Sequence, residues 1–389
     1  MRYFTICLVF STVLISCKKD NPILPDNSGF AVQISAKEDN SNESFELVFR
    51  TGHSFLIDDI KSLGDGNFVF CGSYNLSSVG YPVLASINSS GTVNWVNDLR
   101  SLAGTGLLKI AGYESGVLTI LAARRYSDSM KGGVLKFDSS GTLLSEQYFP
   151  SVVGRGNYQF DIVESGGDLF ISAIRNEFLD SRESIYNVLD VNSGSIILNG
   201  TFNNFQSTSM SISSSGIVVI TGDSVTDSST IDNRNYLHVL NFNGAHLFSK
   251  QSSELGGRFI ISASPLYDNS ILAALISNDG SGTNKFVKID NQGNVVFSVQ
   301  NSNARFCIDA DNDRFFVFAS PYEEIDAERI FAYSLSTGEL IWSKILDNNR
   351  MIQTLKLSPS SDGGVFVSQV LNKVGMNTFS IKKLDSNGN

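Results

Sequence analysis

Three arginines recur at one place in a repeating chain. Arg258, Arg305 and Arg350 each stand immediately before the apolar opening of a strand-like run, and Arg155 falls two residues off that register. Guanidinium groups bind carboxylate and phosphate bidentately, so four of them around one opening would make an anion site in an otherwise acidic chain. Arginines at such junctions equally serve by bonding neighbouring carbonyls or carboxylates, and the spacing leaves both readings open. Asp309, Asp311 and Asp313 form a second pattern, the alternation by which three carboxylates converge on a hard cation such as calcium. The glycine usual after such a loop is Arg314 here, and the stretch is also a turn position, where Asp and Asn serve the backbone. The histidines, His53, His238 and His246, show no metal-ligand spacing, and no GxSxG elbow, P-loop or CxxC occurs. Scattered carboxylates leave an acid/base pair open, but nothing in the sequence pairs them.

A broader signal lies in seven variable segments: NLSSVGYP, RRYSDSMKG, RNEFLDSRES, DSVTDSSTIDNRN, SNDGSGTN, PYEEIDAER and LNKVGMN. They carry or adjoin Tyr81, Arg124, Arg125, Tyr126, Phe178, Arg182, Arg234, Tyr236, Tyr322 and Arg329, the aromatic and arginine types enriched at binding hot spots. Taken singly, each is a solvated loop residue. Taken together, they mark one set of loops as a binding surface.

The elements that would position these residues come from an internal repeat. An apolar run, a small polar turn ending in glycine and a second apolar run recur as ASINSSGTVNWV, LKFDSSGTLLSE, VLDVNSGSIILN, VLNFNGAHLFSK, VKIDNQGNVVFS, AYSLSTGELIWS and IKKLDSNGN. The turn glycines Gly91, Gly141, Gly194, Gly244, Gly293, Gly338 and Gly388 recur about every 50 residues, a blade-length period. A second tight turn lies upstream in every copy, so each unit reads as strand A, turn, strand B, variable loop, strand C, glycine turn, strand D. The fold class is therefore all-β: a seven-bladed β-propeller of four-stranded antiparallel blades.

Closure gives an independent check. The last copy stops at LDSNGN with no strand D, while residues 44–51, SFELVFRT, precede the first strand A. Donating this N-terminal strand to the last blade closes the ring and removes the edges an open array would expose. Residues 44–389 are assigned to the propeller. Its variable loops and D-to-A links then share one face, and its short turns share the other.

A formal charge of −10 and a sequence pI near 4.9 argue against nucleic acid as a partner. Of four cysteines, Cys7 falls in an apolar leader, Cys17 follows it, and Cys71 and Cys307 are expected as buried free thiols. Residues 1–16 carry a basic Arg2 and the short apolar stretch ICLVFSTVLIS, which fits an export signal that is removed. Leu14-Ile15-Ser16-Cys17 resembles the lipobox of bacterial lipoproteins, which implies acylation of Cys17. Lys18-Lys19-Asp20 resembles the start of outer-membrane lipoproteins of the Bacteroidota. Residues 17–43 are expected to form the lipidated cysteine and a flexible tether.

AYSLSTGELIWS, with Ala332, Thr337, Gly338 and Trp342, resembles the repeat of pyrroloquinoline-quinone-type propellers, in which a turn glycine and a Trp four residues later dock neighbouring blades. ASINSSGTVNWV matches it through Ala85, Gly91 and Trp95, while Ser334 stands where that pattern has Asp. The family includes quinone dehydrogenases and a non-catalytic lipoprotein of the outer-membrane β-barrel assembly machinery. Seven minimal blades leave little room for a cofactor-bearing catalytic face. The expected function is a non-enzymatic binding or scaffold lipoprotein at the outer membrane, meeting a protein partner such as a barrel complex through its loop-rich face. A surface binder of glycan or peptide for nutrient capture is the alternative, and a propeller enzyme the third. No cofactor is expected, with calcium at the acidic run the one candidate.

Overall fold

The computed structural model describes residues 33–38, 45–51, 55–63, 67–76, 79–88, 92–126, 129–149, 158–177, 183–224, 235–277, 283–301, 305–319, 328–347, 352–373 and 376–389. Two strands come first, β1 (Gln33–Glu38) and β2 (Phe45–Thr51). Blade 1 follows as β3 (Phe55–Ser62), β4 (Asn67–Leu76), β5 (Val79–Asn88) and β6 (Val93–Asp98). Blade 2 is β7 (Thr105–Glu114), β8 (Val117–Tyr126), β9 (Ser129–Asp138) and β10 (Leu143–Tyr148). Blade 3 is β11 (Tyr158–Ser165), β12 (Asp168–Glu177), β13 (Glu183–Asp190) and β14 (Ile196–Asn203). Blade 4 is β15 (Phe205–Ile212), β16 (Ile217–Ser224), β17 (Asn235–Asn241) and β18 (His246–Gln251). Blade 5 is β19 (Gly257–Pro265), β20 (Ile271–Ser277), β21 (Asn284–Ile289) and β22 (Val295–Asn301). Blade 6 is β23 (Arg305–Asp309), β24 (Arg314–Ala319), β25 (Glu328–Ser334) and β26 (Leu340–Asp347). Blade 7 takes β27 (Ile352–Pro359), β28 (Val365–Lys373) and β29 (Met376–Leu384) from the end of the chain. Every blade is an antiparallel meander, and the chain is a seven-bladed all-β propeller.

The final blade is completed as the split repeat requires. β2 lies antiparallel to β29, with Phe45 opposite Lys383 and Thr51 opposite Asn377. One strand goes beyond the sequence expectation. β1, from within the segment assigned to the tether, pairs with β2 from Gln33↔Arg50 to Glu38↔Phe45, so blade 7 has five strands in the order β1-β2-β29-β28-β27. Its sequence, QISAKE, is short and largely polar, and nothing in its composition separates it from the residues around it.

Between consecutive blades lies an apolar cluster, so the core is divided into a ring of wedges. Blades 1 and 2 share Val69, Leu84, Leu107, Ile120 and Leu135; blades 5 and 6 share Leu272, Phe286, Phe315 and Val317. The closing junction is built alike, with Ile60, Phe68 and Phe70 of blade 1 against Phe366 and Ile381 of blade 7. Each such side chain, once fully removed from water, contributes roughly 1.5–3 kcal/mol. Strands B and C supply most of these residues because neighbouring blades cover both their faces. Cys71 is buried and Cys307 half-buried; both thiols are free, and burial pushes both upward in pKa.

A repeated contact reinforces the wedges at the turn end. In blade 1, Trp95 lies on Gly141 of blade 2 and donates its indole N–H to the Ser139 carbonyl at 2.9 Å. In blade 6, Trp342 covers Gly388 of blade 7 and donates to the Ser386 carbonyl at 2.9 Å. A Cβ on either glycine would sit 2.6 Å or 2.8 Å from the ring, and both have a φ near +80°. A Trp thus docks on the next blade's turn glycine at two junctions. Phe248 on Gly293 and Phe297 on Gly338 repeat it with another aromatic.

Truncation separates the two N-terminal strands. Removing residues through Glu38 leaves seven four-stranded blades and should lower the melting temperature by only a few degrees, whereas removing residues through Thr51 strips a ladder from β29 and should lower it by about 10 °C or more. Equal losses would contradict β2 as the closing strand.

Candidate functional site

The A strands are the innermost of each blade, and from β23 through β27, β3, β7, β11 and β15 to β19 each touches the next around the ring axis. They carry charge that the sequence reading did not single out. β3 is bulged between Ile57 and Asp59, and β27 between Thr354 and Lys356, which re-aims the residues that follow. Asp59 accepts the Ile110 backbone N–H of blade 2 at 2.9 Å and lies 4.0 Å from Lys356 of blade 7. Lys61 donates to the Ala111 carbonyl of blade 2. Lys109 of blade 2 reaches Asp161 of blade 3 at 2.5 Å, and Asp161 accepts the Ile212 N–H of blade 4 at 3.2 Å. Ser211 of blade 4 then donates to the Ala263 carbonyl of blade 5 at 2.7 Å, and Ser358 of blade 7 to the Ile60 carbonyl of blade 1.

These groups run from blade to blade as a belt. Its carboxylates are held by backbone N–H groups and lysines, and the chemistry it displays is cross-linking of the inner wall. Asp58, the bulge residue beside Asp59, differs: burial, set against the attraction of Lys356 and reinforced by the repulsion of Asp59, raises its carboxyl from 3.8 to about 7. The signal was present in the sequence as charged residues in the middle of apolar runs, FLIDDIKS, LLKIAG, FDIVES and TLKLS. Their partners, however, lie a whole blade away.

Of the four arginines expected at one opening, Arg258 is the second residue of β19 and Arg305 the first of β23, so two blades share the position. Arg258 is exposed and stacks over Phe259, 5.1 Å from the ring centre. Arg155, Arg350 and Tyr322 fall outside the described residues, as does Cys17. Arg124, Arg125 and Tyr126 end β8. Arg124 lies 4.0 Å from Glu146 and 5.8 Å from the centre of the Tyr148 ring, and Arg125 is exposed. Tyr236 opens β17 beside Asn235, and its hydroxyl accepts from Gln251 at 2.7 Å. A cluster not foreseen lies alongside in blade 1: Tyr74 donates to Asp98 at 2.8 Å, Arg100 bonds both at 3.1 Å and 3.0 Å, and Tyr81 stacks on Tyr74.

The acidic run is not assembled as a cation site. Asp309 ends β23 and accepts both oxygens' bonds from Asn312, at 3.2 Å and 3.0 Å, while burial raises its pKa. Asp313, with φ of 52°, accepts from Ser334 and Ser336 at 2.9 Å and 2.8 Å, and Asp311 is exposed. Among the described residues no three His, Cys, Asp or Glu side chains converge for a metal. Arg314, in the glycine's place, donates to the Gly363 and Ser386 carbonyls of blade 7 at 2.7 Å and 2.5 Å, so it serves the blade junction. His238 and His246 meet on one hydroxyl, each 2.6 Å from Ser249 Oγ, and burial, with the nearby His246, lowers His238 to about 4.

Strand direction sorts these residues between the faces. B strands rise to the loop-rich face and C strands descend from it. Arg50, Arg100, Arg124, Arg125, Arg175, Arg258, Arg305 and Arg329 all stand at that end of the ring, and among the described arginines only Arg314 stands at the turn end. Tyr74, Tyr81, Tyr126, Tyr148, Tyr158 and Tyr236 share the arginine-bearing end. The turn end carries Asp138, Asp190 and Asp290, whose carboxyls are held low by hydrogen bonds from Ser140, Ser193 and Asn294 respectively.

No protein-family model matches the chain, and no curated protein is similar to it in sequence. Solved structures are similar in fold. Prolyl oligopeptidase B from Galerina marginata is 9% identical with a TM-score of 0.48, over 88% of this chain and 55% of that one, so this chain spans about half its length. A eukaryotic initiation factor is 11% identical with a TM-score of 0.44, over 91% of this chain and 93% of that one. Synechocystis apocarotenoid oxygenase, as a Trp149Ala mutant, is 11% identical with a TM-score of 0.44, over 77% and 72%. No activity passes to this chain from such likenesses.

Asp58 yields a pH test. Its folded pKa near 7 lies above the unfolded value of 3.8, so the native state holds a proton that the unfolded chain releases, and this contribution to stability is lost as pH rises between the two. Asp58→Asn should therefore be more stable than the parent by about 1–2 kcal/mol at pH 8, after discounting for solvent screening, with the difference closing near pH 4. Urea midpoints across that range measure it; a pH-independent difference would refute the assignment.

Proposed function

We propose that this protein is a non-enzymatic binding or scaffold lipoprotein, anchored through Cys17 at the outer membrane, that meets a protein partner through its loop-rich face. The carrying observation is the segregation of the described arginines, Arg314 apart, to that face, joined there by Tyr74, Tyr81, Tyr126, Tyr148, Tyr158 and Tyr236, while Tyr113, Tyr267 and Tyr333 stand at the turn end. Both types combine large contact area with directional hydrogen bonding, and they dominate the energetics of protein interfaces. Arg125 and Arg258 are exposed there, and the Tyr74–Asp98–Arg100 cluster gives the same face a preorganised, hydrogen-bonded element. The inner-strand charges, by contrast, are engaged between blades, which favours a framework over an acid/base centre. The anchoring part of the reading is carried by the lipobox-like Leu14-Ile15-Ser16-Cys17. A partner such as an outer-membrane barrel complex fits both parts.

Photo-cross-linking in the native membrane tests it. A photoreactive residue at the loop-face position Ser253 should yield a discrete protein adduct, one at the turn-face position Asn192 should not, and Arg125→Ala with Arg258→Ala and Arg305→Ala should reduce the adduct about tenfold, the effect of losing 1.4 kcal/mol. Adducts confined to the turn face, or unaffected by the triple substitution, would sink the proposal.

A further inference from the structure

β1 enters its sheet from the loop-rich face. β29 descends from that face to the turn face, β2 climbs back from Phe45 opposite Lys383 to Thr51 opposite Asn377, and β1 descends again from Gln33 opposite Arg50 to Glu38 opposite Phe45. The chain ahead of Gln33 therefore leaves the propeller at the arginine-bearing end. Residues 18–32 separate that exit from Cys17. The flexible tether expected from the sequence would average roughly 20–25 Å end to end over this length. The blade wall it would have to retrace to reach the turn face is at least as long, since β29 has nine residues and strands rise about 3.3 Å per residue. With the turn face down, the tether would be spent in coming level with that face. With the loop-rich face down, it starts there.

Charge points the same way. Arg124, Arg125 and Arg258 stand on the loop-rich face, and guanidinium pairs bidentately with phosphate. The turn face presents Asp138, Asp190 and Asp290, whose hydrogen bonds favour the ionised form and which anionic headgroups would repel.

We infer that the loop-rich face is the one held against the phosphate headgroups of the bilayer, so that the partner it meets is embedded in that bilayer or lies on it. This rests on the anchored reading proposed above. In the membrane the face is shielded from solvent-borne proteins, and the acidic turn face looks away.

Fluorescence quenching tests the orientation. The full chain is exported and purified in a Cys307→Ser background, with a dye on Ser253→Cys at the loop-rich face or on Asn192→Cys at the turn face. Each protein is then mixed with phosphatidylcholine–phosphatidylglycerol vesicles containing a nitroxide headgroup lipid. Co-flotation with the vesicles and several-fold stronger quenching of the Ser253→Cys dye is the expected result, with the contrast reduced by Arg125→Glu and Arg258→Glu. Co-flotation with equal quenching, or stronger quenching of the Asn192→Cys dye, overturns the orientation and leaves anchoring intact. Failure to float, with an N-terminal peptide mass lacking lipid, overturns the anchoring and the orientation with it.

Discussion

At four blade junctions an aromatic D-strand side chain lies on the bare backbone of the neighbour's C–D turn. Trp95 on Gly141 and Trp342 on Gly388 show the full form, in which the ring fills the space a Cβ would need and the indole N–H bonds a turn carbonyl. Two demands meet at one residue there: a positive φ for the tight hairpin and a flat surface for the ring. Only glycine meets both without strain. Phe248 and Phe297 show that the indole bond is an addition, and Leu198 against Gly244 shows that an aliphatic side chain can take the same seat.

Two further layers act on the same junctions. Apolar wedges exclude water between the sheets, and near the axis the belt of Asp59, Lys61, Lys109, Asp161 and Lys356 ties A strand to A strand. The belt is asymmetric. Charged groups span blades 7, 1, 2 and 3, while Ser211 with a carbonyl partner spans blades 4 and 5. Cross-links of this kind are strongest where backbone amides complete the carboxylates, as at Ile110 and Ile212. They tie the inner wall together from blade to blade.

What could be read from the sequence was what the backbone demands locally. Turn glycines and the orphaned strand at residues 45–51 are visible because a tight turn and an unpaired edge each impose a residue type or a missing piece. β1 was not visible, since QISAKE lies in a polar stretch and is recruited by the edge of β2. The inner belt escaped because its partners are a full repeat apart, and only closing the ring brings Lys356 to Asp59. Arg258 and Arg305 were recognised at one register, but the wider gathering of arginine on one face needed the direction of every strand. The acidic run at Asp309, Asp311 and Asp313 shows the converse. Its alternation suited a cation, yet turn geometry sends Asp309 to Asn312 and Asp313 to Ser334 and Ser336.

Closure of the ring underlies the assignment of the faces, the position of the tether and the shared opening of the A strands. Native-state hydrogen exchange of the β29 amides reads it directly, because β29 is interior to a sheet only if β2 lies on it. The closed ring requires these amides to exchange as slowly as those of β25, the corresponding strand of blade 6. Rapid exchange along one edge of β29, with β25 protected, would mean that the N-terminal strand does not complete the last blade.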